Sequence, residues 1–215
     1  MSPVPSRRWA AAVGLALVAV PLAPLATVAP ASASTSGLVI SEVYGGGGNS
    51  GAPYTNDFVE LQNTTGAPIP LAGMSVQYRS ATGTTSAATA LSGTVPANGK
   101  FLVAEAAGAT PSAALPTPDA TGTLAMAGTS GVVYLSSSAT PVPATDPTVV
   151  DLVGYGTATA FEGSAPAPTL SNTTAATRPA SGADTNDNKA DFTSAAVVLD
   201  SVGAAAEPSN AVAVP

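Results

Sequence analysis

Glycine and proline divide this sequence into short segments, and their spacing limits the folds that the chain can adopt. The 215 residues include 21 glycines and 20 prolines, and no stretch between them has a helical period. The segments are instead runs of β-branched, aromatic and other apolar residues, bounded by turn residues. The strongest runs are residues 38–44, 57–63, 74–79, 100–105, 131–136 and 149–155. With weaker runs, this gives seven or eight short strands, which predicts an all-β sandwich.

The chain contains no cysteine and no histidine, which excludes much of the usual chemistry of enzymes. Disulfides, thiolate nucleophiles and zinc–thiolate sites need cysteine. Serine–histidine–aspartate triads and imidazole proton shuttles need histidine. Carboxylates and a few amines are the acid–base groups that remain, and they form no recognisable catalytic motif. We therefore expect a protein without enzymatic activity.

The first 33 residues have the pattern of a secretory signal peptide. Arg7 and Arg8 give a positive start, residues 10–20 are apolar, and 31–33 read Ala-Ser-Ala, a typical cleavage signal. Two prolines follow the apolar run, which is too short for a membrane span. The sequence predicts a secreted, extracellular protein beginning at Ser34, and it leaves open the general and the twin-arginine export routes.

Removal of this leader leaves an acidic protein with four basic and thirteen acidic residues, a net charge of −9. Such a chain repels phosphate backbones, so we expect no direct binding to nucleic acid. No second apolar span follows the leader, so no membrane span is predicted for the mature chain. The expected partner is an extracellular protein or polysaccharide that the sequence does not identify.

A change of composition after Gly163 predicts the end of the folded domain. Residues 34–163 contain all the strong strand runs, whereas 164–215 are mostly Ala, Pro, Ser and Thr. Segments of that kind bury too little apolar surface to offset the entropy of ordering. We expect a largely flexible tail, with residues 184–198 docking on the sandwich through Phe192.

Three carboxylates near the N-terminus of the mature chain are the best candidates for a site. Strand alternation places Glu42 on one face with Ile40 and Tyr44, and Glu60 on one face with Phe58. If the two strands pair, Glu42, Asp57 and Glu60 could bind a metal or perform acid–base hydrolysis. The alternative is that they accept hydrogen bonds from backbone groups at the ends of the sheet, or lie in solvent. In that case Glu60 should accept hydrogen bonds from backbone amides or from a neighbouring hydroxyl.

Residues 184–191 begin like a calcium-binding loop. Asp184, Asn186 and Asn188 place oxygens at alternate positions, and Asp191 offers a further ligand. The sixth position of the loop is Lys189 rather than glycine. The sequence therefore leaves open a calcium site or an Asx-rich turn that docks the following aromatic residue. No other cofactor is predicted, and the four glycines at 45–48 are interpreted as a mobile linker.

Several segments, taken in order, resemble the lamin tail domain in the form found in secreted bacterial proteins. They are residues 38–49 (LVISEVYGGGGN), 56–63 (NDFVELQN), 151–156 (DLVGYG) and 161–163 (FEG). The resemblance implies an immunoglobulin-like β-sandwich. The acids Glu42, Asp57, Glu60 and Asp151 lie in the motif segments, and we expect them to be structural. In bacteria this module often accompanies secreted nucleases, phosphatases or adhesive repeats, and it brings no activity of its own.

Three functional hypotheses follow from these features. The first is a secreted, non-catalytic lamin-tail-type module that binds an unidentified ligand. The second is a small carboxylate-dependent hydrolase, or an accessory protein of a nuclease. The third is a calcium-dependent binder of surfaces or carbohydrate that uses residues 184–191.

Overall fold

The computed structural model describes Met1, residues 37–197 and Leu199. The predicted leader beyond Met1, the predicted new terminus Ser34 and the last part of the predicted tail, from residue 200, lie outside the described residues. Within the described part the chain forms twelve strands and one short helix. They are β1 (Leu38–Tyr44), β2 (Asn56–Asn63), β3 (Ile69–Pro70), β4 (Ser75–Ser80), β5 (Ala87–Ala90), β6 (Thr94–Val95), β7 (Lys100–Ala107), β8 (Ala120–Thr121), β9 (Gly131–Ser136), β10 (Val149–Tyr155), β11 (Thr174–Thr177), α1 (Asn188–Asp191) and β12 (Thr193–Ala196).

Two sheets pack face to face and confirm the predicted β-sandwich. One has six strands in the order β12-β11-β1-β2-β7-β8, and the other has four in the order β10-β9-β4-β5. Neighbouring strands are antiparallel, except that β7 and β8 run parallel. The six strong sequence runs became the six longest strands, β1, β2, β4, β7, β9 and β10. The additional strands have two to four residues each.

The core lies between the two sheets and is built from alternate residues of each strand. Val59 and Leu61 of β2 belong to it, together with Val133 and Leu135 of β9, and all four are fully buried. Because β2 lies between β1 and β7, its side chains are covered from both sides along the sheet. β2 is therefore a central strand, with Val59 and Leu61 in the core.

An irregularity in β1 changes which of its residues face the core. The pairing of β1 with β2 shifts between Ile40 and Glu42, as at a β-bulge. Ile40 therefore packs in the inter-sheet core, whereas Tyr44 packs on the outer face of the sheet with Phe58. The prediction that Glu42 shares a face with Ile40 is wrong, because one extra residue reverses the alternation of side chains.

The fold continues beyond Gly163, where the sequence placed the end of the domain. Strand β11 pairs with β1, and β12 pairs with β11, so residues 174–196 extend the six-stranded sheet. The predicted flexible tail is therefore corrected within the described residues. Ala175 and Ala176 are fully buried, and small side chains of this kind carry little signal in a search for large apolar residues. The predicted docking of Phe192 is confirmed, since this ring is buried in the core.

The glycines at 45–48 are buried and closely packed, which corrects their interpretation as a mobile linker. A Cβ atom on Gly47 would lie 2.1 Å from the backbone carbon of Asn56. A Cβ atom on Gly48, whose φ is +60°, would lie 2.3 Å from the Cα of Gly108. Glycine is needed at these positions because two backbone segments touch.

Among the described residues, no helix has both the length and the apolar character that crossing a membrane requires.

Candidate functional site

A buried arginine at the end of β11 organises the largest group of charged residues in the described part of the chain. The side chain of Arg178 has no exposure to solvent. Its guanidinium lies 3.2 Å from carboxylate oxygens of Asp151, Asp184 and Asp191. Asp151 belongs to β10, Asp191 to α1, and Asp184 to the segment before α1. One cation therefore holds three separate parts of the chain.

Arg178 also joins the two sheets through the backbone of β1. Its Nε donates a hydrogen bond to the carbonyl oxygen of Ile40 at 3.0 Å, and the amide of Ile40 donates to Asp151 Oδ2 at 2.6 Å. The guanidinium lies 4.4 Å from the centre of the Phe192 ring, in a cation–π contact. Since β1 and β10 lie in different sheets, this network binds the sheets and the C-terminal segment together.

Asn188, at the start of α1, completes the edge of β10. Its Nδ2 donates to the carbonyl oxygen of Leu152 at 2.8 Å, and its Oδ1 accepts from the amide of Gly154 at 2.8 Å. The same oxygen accepts from the amide of Glu162 at 3.2 Å. The side chain thus satisfies the backbone groups that an additional strand would otherwise pair.

Three carboxylates beside Arg178 are close enough to share a cation. Asp151, Glu162 and Asp184 each place one oxygen within 4.8 Å of the others, and oxygen ligands of this kind suit calcium or magnesium. Burial raises the pKa of Asp151 and of Glu162, and the neighbouring carboxylates raise that of Glu162 further. Arg178 opposes both effects. The group can therefore hold protons or a hard cation in addition to the arginine.

The four predicted calcium ligands make different contacts in the structure. Asp184 belongs to the group of three carboxylates, and the Oδ1 of Asn186 is buried without a hydrogen-bond partner. The side chain of Asn188, in contrast, forms hydrogen bonds with the backbone of β10. Asp191 accepts hydrogen bonds from Thr185 and Arg178. Arg178 also contacts Asp184, so three of the four predicted ligands have other partners, and calcium binding stays a prediction.

The strands that carry Glu42 and Glu60 do pair, and these two residues lie directly opposite each other. Both are buried, with exposures of 3% and 1%. Glu60 Oε1 lies 2.7 Å from Lys100 Nζ and accepts a hydrogen bond from Ser41 Oγ at 2.7 Å. The expectation that Glu60 accepts a hydrogen bond from a neighbouring hydroxyl is therefore confirmed.

Asp57, the third candidate, lies near one end of the sandwich rather than beside Glu42 and Glu60. Its Oδ1 accepts from the amide of Gly47 at 2.9 Å, and its Oδ2 accepts from the amide of Met126 at 2.8 Å. The carboxylate thus fixes the turn after β1 and the segment before β9. The three candidate acids do not form one site, because Asp57 faces the core and Glu60 the outer side of the sheet.

Sequence reasoning missed another buried acid, Glu105 of β7. Its exposure is 1%, and its Oε2 accepts from the amide of Leu124 and from the hydroxyl of Thr89, each at 2.9 Å. The signal was present in the alternation of β7, because Phe101 and Val103 face the core and Glu105 follows in the same series.

A family model for the Lamin Tail Domain matches residues 31–157, which is more than half of the chain. The chain belongs to the lamin tail domain family. This agrees with the resemblance in the motif segments and with the immunoglobulin-like β-sandwich that the resemblance implies. A search of the curated proteins finds no match.

The match to the lamin tail domain ends before several residues on which its buried acids depend. Asp151 lies inside the matched range, whereas its guanidinium partner Arg178 lies outside it. Asn188, which closes the edge of β10, is also outside. In this lamin tail domain protein the described fold therefore includes about 40 residues beyond the family match.

Proposed function

We propose that this lamin tail domain protein is a secreted, non-catalytic module that binds an extracellular protein or polysaccharide. Lamin tail domains are immunoglobulin-like interaction modules, and that general role applies to this chain. The finer proposal adds export, the absence of catalysis and the class of ligand. It is supported by the leader pattern, by the lack of histidine and cysteine, and by the arrangement of the buried acids.

The observation that best supports the proposal is that three of the motif acids make structural contacts within the protein. Asp57 accepts two backbone amides, and Asp151 accepts one amide and the guanidinium of Arg178. Glu60 is held by a lysine and a serine. A catalytic carboxylate must instead reach the substrate or its attacking water. These contacts favour a structural role for the acids over the hydrolase hypothesis.

The test for catalysis compares the parent protein with Glu60→Gln on panels of polysaccharides and phosphoesters. We expect no turnover by either protein, and a lower melting temperature for Glu60→Gln because its contact with Lys100 loses the negative charge. Asp119→Asn is the matched control, since Asp119 is an exposed acid that accepts a backbone amide. Turnover by the parent that Glu60→Gln abolishes, with an unchanged melting temperature, would support the hydrolase instead.

Export and partner binding have their own measurements. N-terminal sequencing of protein from the culture medium should begin at or near Ser34, and a product that retains the leader would contradict export. Crosslinking in the medium followed by co-purification should recover a protein or polysaccharide partner. We expect no retention on immobilised DNA at low salt, because the mature chain is strongly acidic.

A calcium-dependent binder is the second candidate, and the grouping of Asp151, Glu162 and Asp184 favours it. A bound cation stabilises the folded state by mass action. If calcium binds here, millimolar calcium should raise the melting temperature of the parent relative to a chelator, and Glu162→Gln should remove most of that rise. Equal melting curves with calcium and chelator would argue against this candidate.

A further inference from the structure

Two acids face the inter-sheet core near one end of the sandwich without a cation between them. Asp57 of β2 and Glu105 of β7 have exposures of 5% and 1%. Their strands are neighbours, and each acid follows the core-facing series of its strand. Among the ion pairs found in the described residues, none includes either acid.

Both acids hold the same piece of chain, which we call the latch segment (residues 122–127). Glu105 Oε2 accepts from the amide of Leu124 at 2.9 Å, and Asp57 Oδ2 accepts from the amide of Met126 at 2.8 Å. The side chains of Leu124 and Met126 belong to the core. The latch segment thus closes the core where the two acids lie.

The hydrogen bonds leave one oxygen at which a proton can reside. Glu105 Oε2 accepts hydrogen bonds from the amide of Leu124 and the hydroxyl of Thr89, whereas Glu105 Oε1 is buried and has no hydrogen-bond partner among the described residues. Both oxygens of Asp57 accept backbone amides. Glu105 can therefore be protonated on Oε1 without losing its contacts, and Asp57 is better arranged to stay ionised.

The surroundings supply hydroxyl groups rather than positive charge. The phenols of Tyr44 on β1, Tyr78 on β4 and Tyr155 on β10 are close enough to Asp57 that its negative charge raises the pKa of each. Thr89 on β5 approaches Glu105. When both acids are ionised, the core contains two negative charges that pair with no lysine or arginine in the described part of the chain. Such charges are unfavourable in a medium of low dielectric constant.

We propose that Asp57 and Glu105 form a proton-operated latch, which holds the latch segment closed while Glu105 is protonated and loosens it when both acids are ionised. Gly47 and Gly45 touch this region, since the amide of Gly47 donates to Asp57 and Gly45 packs against Ala127. The opening would therefore include the glycine turn after β1. The mature protein would be most compact in mildly acidic surroundings.

The electrostatics of the two acids set the pH range of the latch. Burial raises the pKa of Asp57 to about 6, and burial raises the pKa of Glu105 to about 7, against the opposing effect of their hydrogen bonds. A carboxyl whose folded-state pKa is raised stabilises the fold fully at low pH. That contribution is lost as the pH rises through the folded-state value. The latch should therefore loosen between about pH 4 and pH 7, that is, from the ordinary pKa values of the two acids up to their raised folded-state values.

Amide hydrogen exchange measures the latch directly, because the amides of Leu124 and Met126 donate to the two acids. Protection factors, corrected for the intrinsic effect of pH, should fall by about tenfold or more between pH 5 and pH 8. Glu105→Gln places a neutral group at the same position, so the fall in protection at Leu124 should be much smaller than in the parent, with only the effect of Asp57 remaining. Asp119→Asn should behave like the parent.

Two results would overturn the proposal. One is protection of Leu124 and Met126 in the parent that does not change between pH 5 and pH 8. The other is a fall that persists unchanged in Glu105→Gln. If Glu105→Gln does not fold, a carbon-13 titration of the carboxyl groups in the parent measures the pKa of Glu105 and tests the proposal instead. Titration of Glu105 near pH 7 supports the latch, and titration below pH 5 contradicts it.

Discussion

Replacement of Arg178 by methionine tests whether this residue joins the sheets and the C-terminal segment. The change removes the guanidinium from Asp151, Asp184 and Asp191 and keeps most of the apolar volume of the side chain. Removing one partner of a buried ion pair costs about 3–5 kcal/mol. For a fold of this size the melting temperature should fall by about 6–20 °C at pH 8.

The loss of stability in Arg178→Met should be smaller at low pH than at high pH. This pH dependence distinguishes the loss of charge pairing from the loss of packing. The pKa of Asp151 is raised by burial, and Arg178 holds it down. Without the arginine, protonation of Asp151 can replace the missing positive charge. A raised folded-state pKa stabilises the fold at low pH and ceases to do so as pH rises. Arg178→Met should therefore lie closer to the parent at pH 5 than at pH 8.

Chemical denaturation at both pH values gives the two differences in the free energy of unfolding. Lys189→Met is the matched control, because it removes the same charge from an exposed residue next to Asn188. The control should stay within about 0.5 kcal/mol of the parent. A loss below about 1 kcal/mol for Arg178→Met at pH 8, or equal losses at both pH values, would refute this account of Arg178.

Three further variants test other parts of the fold. Leu61→Ala should cost about 2–5 kcal/mol in denaturant unfolding, because it leaves a cavity in the core, and a cost under about 1 kcal/mol would contradict its central position. Gly47→Ala should lower the melting temperature markedly, since its Cβ would lie 2.1 Å from the backbone of Asn56, and an unchanged melting curve would show that the turn can move. Asn188→Ala should cost about 2–3 kcal/mol and expose the amide of Gly154 to hydrogen exchange, and unchanged protection of that amide would argue against its role at the edge of β10.

The sandwich was predictable because long strands leave a strong local signal. Each of the six strong runs, including residues 57–63, became one of the six longest strands of the structure. The face of Glu42 was not predictable, because the bulge beside Ser41 depends on pairing with another strand. A rule based on the two-residue alternation of a strand cannot detect a single added residue.

The candidate site was less predictable because its contacts are distant in sequence. Arg178 meets Ile40 across 138 residues, and no local pattern joins them. The short strand β11 is formed by alanine and threonine, whose small or polar side chains give little local signal for a strand, and its place between β1 and β12 depends on distant pairing. Composition therefore suggested a flexible tail where the structure has an integral strand.

The position of β1 in the six-stranded sheet has a consequence for the route by which the protein folds. One neighbour of β1 is β2, which follows it closely, and the other is β11, which is synthesised about 130 residues later. Asp151 and Ile40 are separated by 111 residues. Contacts of such large sequence separation slow folding, since long loops must close before they are stabilised. A nascent chain that ends before Arg178 holds Asp151 without its counterion. Folding of the sandwich should therefore finish only after synthesis has passed β12, and refolding should be slow for a domain of this length.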